Sequence, residues 1–563
     1  MRKLLFLLLL FYTLGYSQNP YPQDYFRAPL DISLIPSGTF GELRSNHFHS
    51  GLDIKTQQRE GLSVYAIADG YVSRIKVSHY GYGKALYITH PNGYVSVYGH
   101  LQKYAPEIES YIKNLQYEQE TFEIEVFPNP IEIPVHKSDI VAYTGNTGGS
   151  GGPHLHFEIR DNQERPINPL LFGLEIQDNT RPTIKEVYAY PLSNDAHINS
   201  SKEKQKLRLI PLQNGDYSVE NIEAYGKIGF GIETIDRQDL ATNQNGVSNI
   251  QGIFNGNLMF EIDFKRFSFD ETRHINRLID YKHYKEDKTR IQKLFVEPEN
   301  PLSMYKNLDN NGYLRVEDST NSVYKIKVND FHNNPTWLTI NIEGKKTDDI
   351  KSKPDSVTPF FIYAKKNNEL LNKNVSVNFP ENTFYDDFYV DFNVRNDTLT
   401  LHEDIVPVRD NFSISFDITN YEYPESEKLY IARLVGYKNQ YALYSSTKKK
   451  ENKLTTYTQT LGTYALVLDT INPKIKPVNF SKGKWLSKYR FLKIKIEDNE
   501  SGISNYRATL NGKWILMEYD YKKNELTYDF NDAVSTETEN NLKVIVTDNV
   551  GNSSTFETLF YRK

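Results

Sequence analysis

The chain has 563 residues, 38% of them hydrophobic, with 41 tyrosines and 30 phenylalanines, a composition that fits a folded, strand-rich protein of about four domains. Its net charge of -6 is small for that length, which excludes the electrostatic footprint of a nucleic-acid or anionic-membrane binder. With no cysteine there are no disulfides, no thiolate chemistry and no cysteine to carry a lipid, so any metal must be held by His, Asp or Glu.

Residues 1–17, MRKLLFLLLLFYTLGYS, place Arg2 and Lys3 before an apolar run from Leu4 to about Leu14, followed by Gly15 and Ser17. This is the pattern of a signal peptide cleaved after about Ser17. The run is shorter than the roughly 20 apolar residues of a membrane helix, and no later segment approaches that length. The mature chain is therefore expected to be exported to the periplasm or cell envelope, with no membrane span.

After a lead-in, 18–45, residues 46–176 read as one compact β unit. GYVSRIKV (70–77), KALYITH (84–90) and GYVSVYGHL (93–101) are strand-like runs separated by the turn sequences YGYG and HPNG, an antiparallel meander with His100 at the end of its third strand. A Glu-rich stretch, about 106–134, reads as an insertion, helical first and alternating afterwards, and is expected to form a wall or flap beside a groove. In PHLHFEIR, after a glycine tract, His154, His156, Glu158 and Arg160 alternate with Leu155, Phe157 and Ile159. That is the period of a half-buried strand, with both imidazoles on one face. Taken alone the segment also fits a surface strand that carries two polar histidines. Eight of the 13 histidines fall between His47 and His156, so metal or acid–base chemistry belongs in this unit.

Beyond about Asp178 the chemistry-bearing residues thin out. NGVSNIQGIFNGN (245–257) and SGISNYRATLNGK (501–513) share Gly, Ser, Asn, Asn and Gly at a constant offset, and YKIKVNDFHNN (324–334) matches LKVIVTDNVGN (542–552). Two such copies predict two related β-sandwich modules, 178–345 and 472–563, flanking a third β-rich module over 350–470. The charge run STKKKENK (446–453) reads as a solvated loop.

HSGLD (49–53), GYVSRI, YGYGKALYITHPNGYVSVYGHL and GNTGGSGGPHLHFEIR stand in that order within one β unit. Together they resemble the lysostaphin and LytM-type zinc metallopeptidases, whose members cut the peptide cross-links of bacterial peptidoglycan. The resemblance covers about residues 40–175, less than a quarter of the chain. It implies a LytM-like antiparallel β catalytic domain, and with the repeat-bearing remainder the fold expected is mainly β, that domain followed by about three β-sandwich (Ig-like) modules.

It also implies one Zn2+ per chain, held by His49, Asp53 and His156, with His100 and His154 as the catalytic pair. Two imidazoles and a carboxylate leave the fourth tetrahedral position of zinc open for water. The function so implied is an exported zinc endopeptidase acting on peptidoglycan peptides, with an envelope protein as a possible partner of the C-terminal modules. The rival readings are a noncatalytic adaptor of other wall hydrolases and a zinc peptidase acting on proteins.

Of the other histidines, His47 lacks the four-residue spacing to aspartate, His79 and His90 read as structural, and His136 reads as exposed. Tyr98, on the strand face of His100, is expected to orient a histidine or line the groove. Gly148, Gly149, Gly151 and Gly152 are expected to let a loop pass close to substrate, since no lysine or helix start follows to make a phosphate loop.

Overall fold

The computed structural model describes residues 20–351, 357–436 and 438–563; the signal-peptide reading of residues 1–17 lies outside them. Among the described residues no helix is long and apolar enough to cross a membrane. The fold is mainly β, with four principal hydrophobic cores in chain order.

The first core belongs to a sheet built from β1 (Pro36–Gly38), β2 (Leu52–Lys55), β3 (Gly70–Val77), β4 (Lys84–Thr89), β5 (Val95–Gly99), β6 (Ile124–Val126) and β7 (His154–Arg160). The order across the sheet is β1-β2-β7-β5-β4-β3-β6. The meander read from the sequence is β3–β4–β5, antiparallel throughout. β7 fits between β2 and β5, pairing His156 with Asp53 on one side and with Gly99 on the other. A central strand in this register brings the motifs of three distant segments together.

Two expectations change here. Beyond His154, β7 is buried on both faces rather than half-buried: Tyr82 stacks on His156, Ser50, Tyr82 and Arg160 enclose Glu158, and the first module's Phe269 covers Arg160, the guanidinium lying 4.7 Å from the ring. The lead-in is part of the domain: Phe26, Leu30 and Leu34 belong to the first core, and β1 pairs with β2.

The stretch 106–134 forms α1 (Pro106–Gln119) and β6. β6 pairs with β3 at the sheet edge far from β2 and β7, so the expected wall beside the groove is not there. Instead α1 docks the last module. Lys113 and Tyr117 both reach Asp532, at 2.6 and 2.8 Å, and Tyr117 meets Trp514 edge-on with ring centroids 5.2 Å apart.

The second core takes in two phenylalanines from the first domain, Phe40 and Phe48. The equivalent strand pairs of the two repeats are both present. Asn249–Phe254 pairs with Asn321–Asn329, and Ile503–Leu510 pairs with Glu539–Asp548. The charge run is strand rather than loop: Thr447–Lys450 pairs with Lys453–Thr458, its lysines exposed to solvent.

Candidate metal and catalytic site

HSGLD runs into β2, so Asp53 stands on that strand and His49 on the turn before it. His49 Nδ1 lies 2.8 Å from the Thr39 carbonyl oxygen. A carbonyl only accepts, so Nδ1 carries the hydrogen and Nε2 presents a lone pair. That Nε2 is 3.1 Å from Asp53 Oδ1 and 3.2 Å from His156 Nδ1. On β7, His156 directs Nε2 to Glu158 Oε1 at 2.8 Å and Nδ1 to Asp53 Oδ1 at 2.8 Å.

All three residues are buried, at 4%, 7% and 3% exposure for His49, Asp53 and His156. Two imidazole nitrogens and a carboxylate oxygen thus converge where each imidazole's remote nitrogen is already engaged. This is the donor set and the outer hydrogen bonding that suit zinc, and one ligand atom from each residue lies within 4.8 Å of the others.

The electrostatics favour positive charge at this point. Burial alone would raise the Asp53 carboxyl, but His49, His154 and His156 hold it well below the usual carboxylate range. Burial opposes a charged His156, yet hydrogen bonds to Asp53 and Glu158 lift it to about 9. A cation satisfies the same anionic surroundings that favour a proton there.

Two further histidines flank the cluster. His154 Nδ1 lies 2.8 Å from the Gly152 carbonyl, leaving its Nε2 3.5 Å from Asp53 Oδ1. His100 Nδ1 lies 2.9 Å from the Thr147 carbonyl, and the His100 and His154 rings are 4.7 Å apart. Burial, then the neighbouring His156 and His154, push His100 down to about 3, so it is neutral at ordinary pH and Nε2 presents a lone pair. Its backbone is left-handed, φ 58°, a conformation that non-glycine residues adopt sparingly and that recurs at active sites.

The glycine loops hold this arrangement by close backbone approach. Gly149 N donates to Gly81 O at 2.8 Å, and a Cβ on Gly148 would meet Gly83 N at 2.3 Å. Gly151 and Gly152 instead face open space.

The site opens into a groove of about 1420 Å³. One wall is Ile32 to Gln58 and the 149–153 loop; the other includes Leu240, Phe269 and Thr272 of the first module. None of its lining residues comes from 106–134. His47 lies on the wall, exposed, with Nδ1 2.8 Å from Ser45 O. Tyr98 does not reach the groove: its hydroxyl is tied to Ile67 N and Ser96 in the core. His90 is a core residue bonded to Asp69 O and Ser96, and His136 is 82% exposed. His79 packs between Phe122 and the last module's Tyr506 and Tyr519.

The residues around the ligand set escaped the sequence reading. Glu158, 0% exposed, also accepts from Ser50 Oγ at 2.7 Å, Arg160 Nε at 2.6 Å and the Tyr82 hydroxyl. Despite full burial, which acts to raise it, Arg160 and His156 keep its carboxyl far below the carboxylate range. Tyr82 stacks on His156 with centroids 4.8 Å apart, and Arg44 reaches the second oxygen of Asp53 at 2.8 Å. The alternation of β7 already placed Glu158 on the histidine face; nothing in the sequence signalled Arg44 or Thr39.

Residues 47–116 match Peptidase family M23. The chain carries an M23 domain. Residues 360–469 match a Zu5-like domain. Over 167 residues the chain is 30% identical to the DD-carboxypeptidase/endopeptidase Mpg of Neisseria meningitidis serogroup B, covering 30% of this chain and 31% of that protein. Over 126 residues it is 34% identical to an uncharacterized metalloprotease of Haemophilus influenzae, covering 22% of this chain and 21% of that one. The chain thus spans a third or less of the length of these relatives. Among solved structures, the catalytic domain of lysostaphin from Staphylococcus simulans aligns at 24% identity and TM-score 0.18, over 24% of this chain and 87% of that one.

The M23 domain is gripped by the last module as well as the first. Lys84 is buried and pairs with Glu518 at 2.9 and 3.0 Å. Lys522 donates to the carbonyls of Asn146 and Ser150 at 2.5 and 3.0 Å, on the very loop that leads into His154.

Proposed function

We propose that the chain is an exported zinc endopeptidase that hydrolyses the peptide cross-links of peptidoglycan. His49, Asp53 and His156 are its metal ligands, one Zn2+ per chain, and His100 and His154 are its catalytic residues. The observation that carries this reading is the convergence of two imidazole lone pairs and one carboxylate oxygen on one point, with two more imidazoles beside it, on the floor of an open groove. The peptidase activities in the name of the Neisseria relative support a peptide bond as the target.

Zinc bound there supplies Lewis acidity that brings the pKa of water toward neutrality. The protein's part is to handle protons. With their Nδ1 hydrogens fixed on Gly152 and Thr147 carbonyls, His154 and His100 each present Nε2 as an acceptor. One takes the proton of the attacking water and returns it to the leaving amine, and the other, entering the reaction as an imidazolium with a proton taken up from solvent and kept throughout, donates its Nε2 hydrogen in a hydrogen bond to the developing oxyanion. The groove has room for an extended peptide lying against the first module, which makes that module part of the substrate surface.

The deciding experiment incubates the zinc-loaded protein with purified sacculi and, separately, with casein, followed by mass analysis of the released fragments. Cross-link cleavage in sacculi is expected. Casein digestion alone would reassign the substrate to protein, and a protein that takes up no zinc on loading and cleaves neither would make the chain an adaptor.

A further inference from the structure

A second kind of buried acidic chemistry lies outside the groove. Asp178, Asp236 and Asp330 come together with one oxygen each within 4.8 Å, and so do Asp469, Asp498 and Asp548. The two triads occupy equivalent places in the first and last modules. DNTRPTIKEV (178–187) aligns with DTINPKIKPV (469–478), matching Asp, Pro, Ile, Lys and Val. Five residues after the aspartate, Thr183 pairs with Ile235 and Lys474 pairs with Glu497, the residues just before Asp236 and Asp498.

The third members match in their bonding. Asn334 holds both oxygens of Asp330 and the carbonyl of Asp178, at 2.8, 2.6 and 3.2 Å. Asn552 does the same for Asp548 and Asp469, at 2.8, 2.8 and 3.0 Å.

Two observations independent of the clustering point to a ligand. Asp236 is 2% exposed, and its Oδ1 has no hydrogen-bond partner, a costly arrangement for a buried carboxylate oxygen. A cavity of about 20 Å³ is lined by Asp178, Asp236 and Ser248, room for one water or one ion. In the last module Ser501, whose backbone N–H bonds Asp469 Oδ2 at 3.1 Å, is 1% exposed and leaves its hydroxyl without a partner.

Among the described residues no lysine or arginine forms an ion pair with these six carboxylates; Lys428 Nζ, beside the second triad, donates instead to the Val550 carbonyl at 3.1 Å. At the first triad His332 stands by, with Nδ1 3.8 Å from Asp178 Oδ2. Burial and then mutual repulsion lift Asp236 to about 8 and Asp178 to about 6, and Asp498 also rises. Such carboxylates accept either protons or a cation. Three hard oxygens with no nitrogen or sulfur donor select calcium-type ions rather than zinc or copper.

We propose that Asp178, Asp236 and Asp330, and their counterparts Asp469, Asp498 and Asp548, form two equivalent calcium sites, one at the entrance of each of these modules. Backbone carbonyls and water complete the oxygen shell that calcium requires. The first site lies on the seam with the M23 domain, since Thr39, Phe40 and Asn168 line the same cavity. Thr39 is the residue whose carbonyl fixes the tautomer of His49. Calcium there locks the seam between the groove's two walls, and calcium at the second site locks the joint between the middle and last modules.

The test uses the full mature chain, passed over a chelating resin, restored with one equivalent of zinc, and titrated with CaCl2 by calorimetry. Two calcium ions per chain are expected, with Kd on the order of 10⁻⁴–10⁻³ M, the range of extracellular modules. Asp236→Asn and Asp498→Asn should each remove one, and the double variant both. Melting separates this from a purely structural role. Without calcium the Asn variants should melt at or above the parent temperature, because a buried repulsion is relieved; with calcium only the parent should gain its full rise.

Absence of binding up to about 10 mM calcium, or two sites persisting in the double variant, would overturn the proposal. So would variants that melt below the parent without calcium. Magnesium displacing calcium on equal terms would overturn the choice of ion.

Discussion

Replacing Glu158 by glutamine tests the ligand geometry at a residue that never touches the proposed metal. The side chain keeps its size and loses its charge. Glu158 is fully buried and accepts from His156 Nε2 at 2.8 Å and from Arg160 Nε at 2.6 Å. Arg160 is only 5% exposed; its other carboxylate is Glu164 at 2.9 Å, itself 57% exposed and so a weak substitute.

Removing one member of a buried ion pair costs about 3–5 kcal/mol, and because glutamine retains hydrogen-bonding atoms we expect the lower end, ~3 kcal/mol. Loss of the partner that fixes a metal-binding histidine typically costs about 10–100-fold in affinity, equivalent to roughly 1.4–2.7 kcal/mol. Urea unfolding measures the first quantity and competition against a zinc chelator the second. A folded Glu158→Gln protein whose zinc affinity stays within about twofold of the parent, well under that range, would refute the role given to Nε2 and with it the assignment of Nδ1 as the ligand atom.

Alanine at His49, Asp53 or His156 should remove zinc and activity together, whereas His100→Ala and His154→Ala should keep the metal, measured by mass spectrometry, and lose about 100-fold or more in kcat. Lys522→Ala should loosen the 146–150 loop and lower kcat/KM on a soluble cross-linked peptide by about three- to tenfold, the scale of one ordinary net hydrogen bond of about 0.5–1.5 kcal/mol; an unchanged rate would free the site from the last module. Phe40→Ala should destabilise by about 3–5 kcal/mol in urea, because Phe40 is 3% exposed and packs 5.3 Å from Phe267 in the first module's core. A cost near zero would show that the lead-in does not hold the two walls together.

A fragment limited to residues 18–176 would lose contacts that reach the site and the groove. In that fragment Lys84 loses Glu518, the His154 loop loses Lys522, and the groove loses Leu240, Phe269 and Thr272. These contacts join residues more than 80 positions apart in the chain. Neither periodicity nor motif spacing carries information about such pairs.

What the amino-acid sequence determined by itself was local. Period-two alternation placed His154, His156, Glu158 and Arg160 on one face of β7 because successive side chains in a strand point to opposite sides. Turn sequences delimited the meander, and repeated strings marked two modules as related. HSGLD and HLH carried their roles by resemblance.

Tertiary structure alone decided which strands are neighbours. Setting β7 between β2 and β5 put Asp53 beside His156, and the turn into Thr39 gave His49 its tautomer. The insertion went to the far sheet edge, where its helix docks a module instead of walling the groove. The burial of β7 on both faces had the same origin. A polar face reads as solvent-exposed in a lone strand, and it becomes interior only when a salt-bridged network and a second domain cover it.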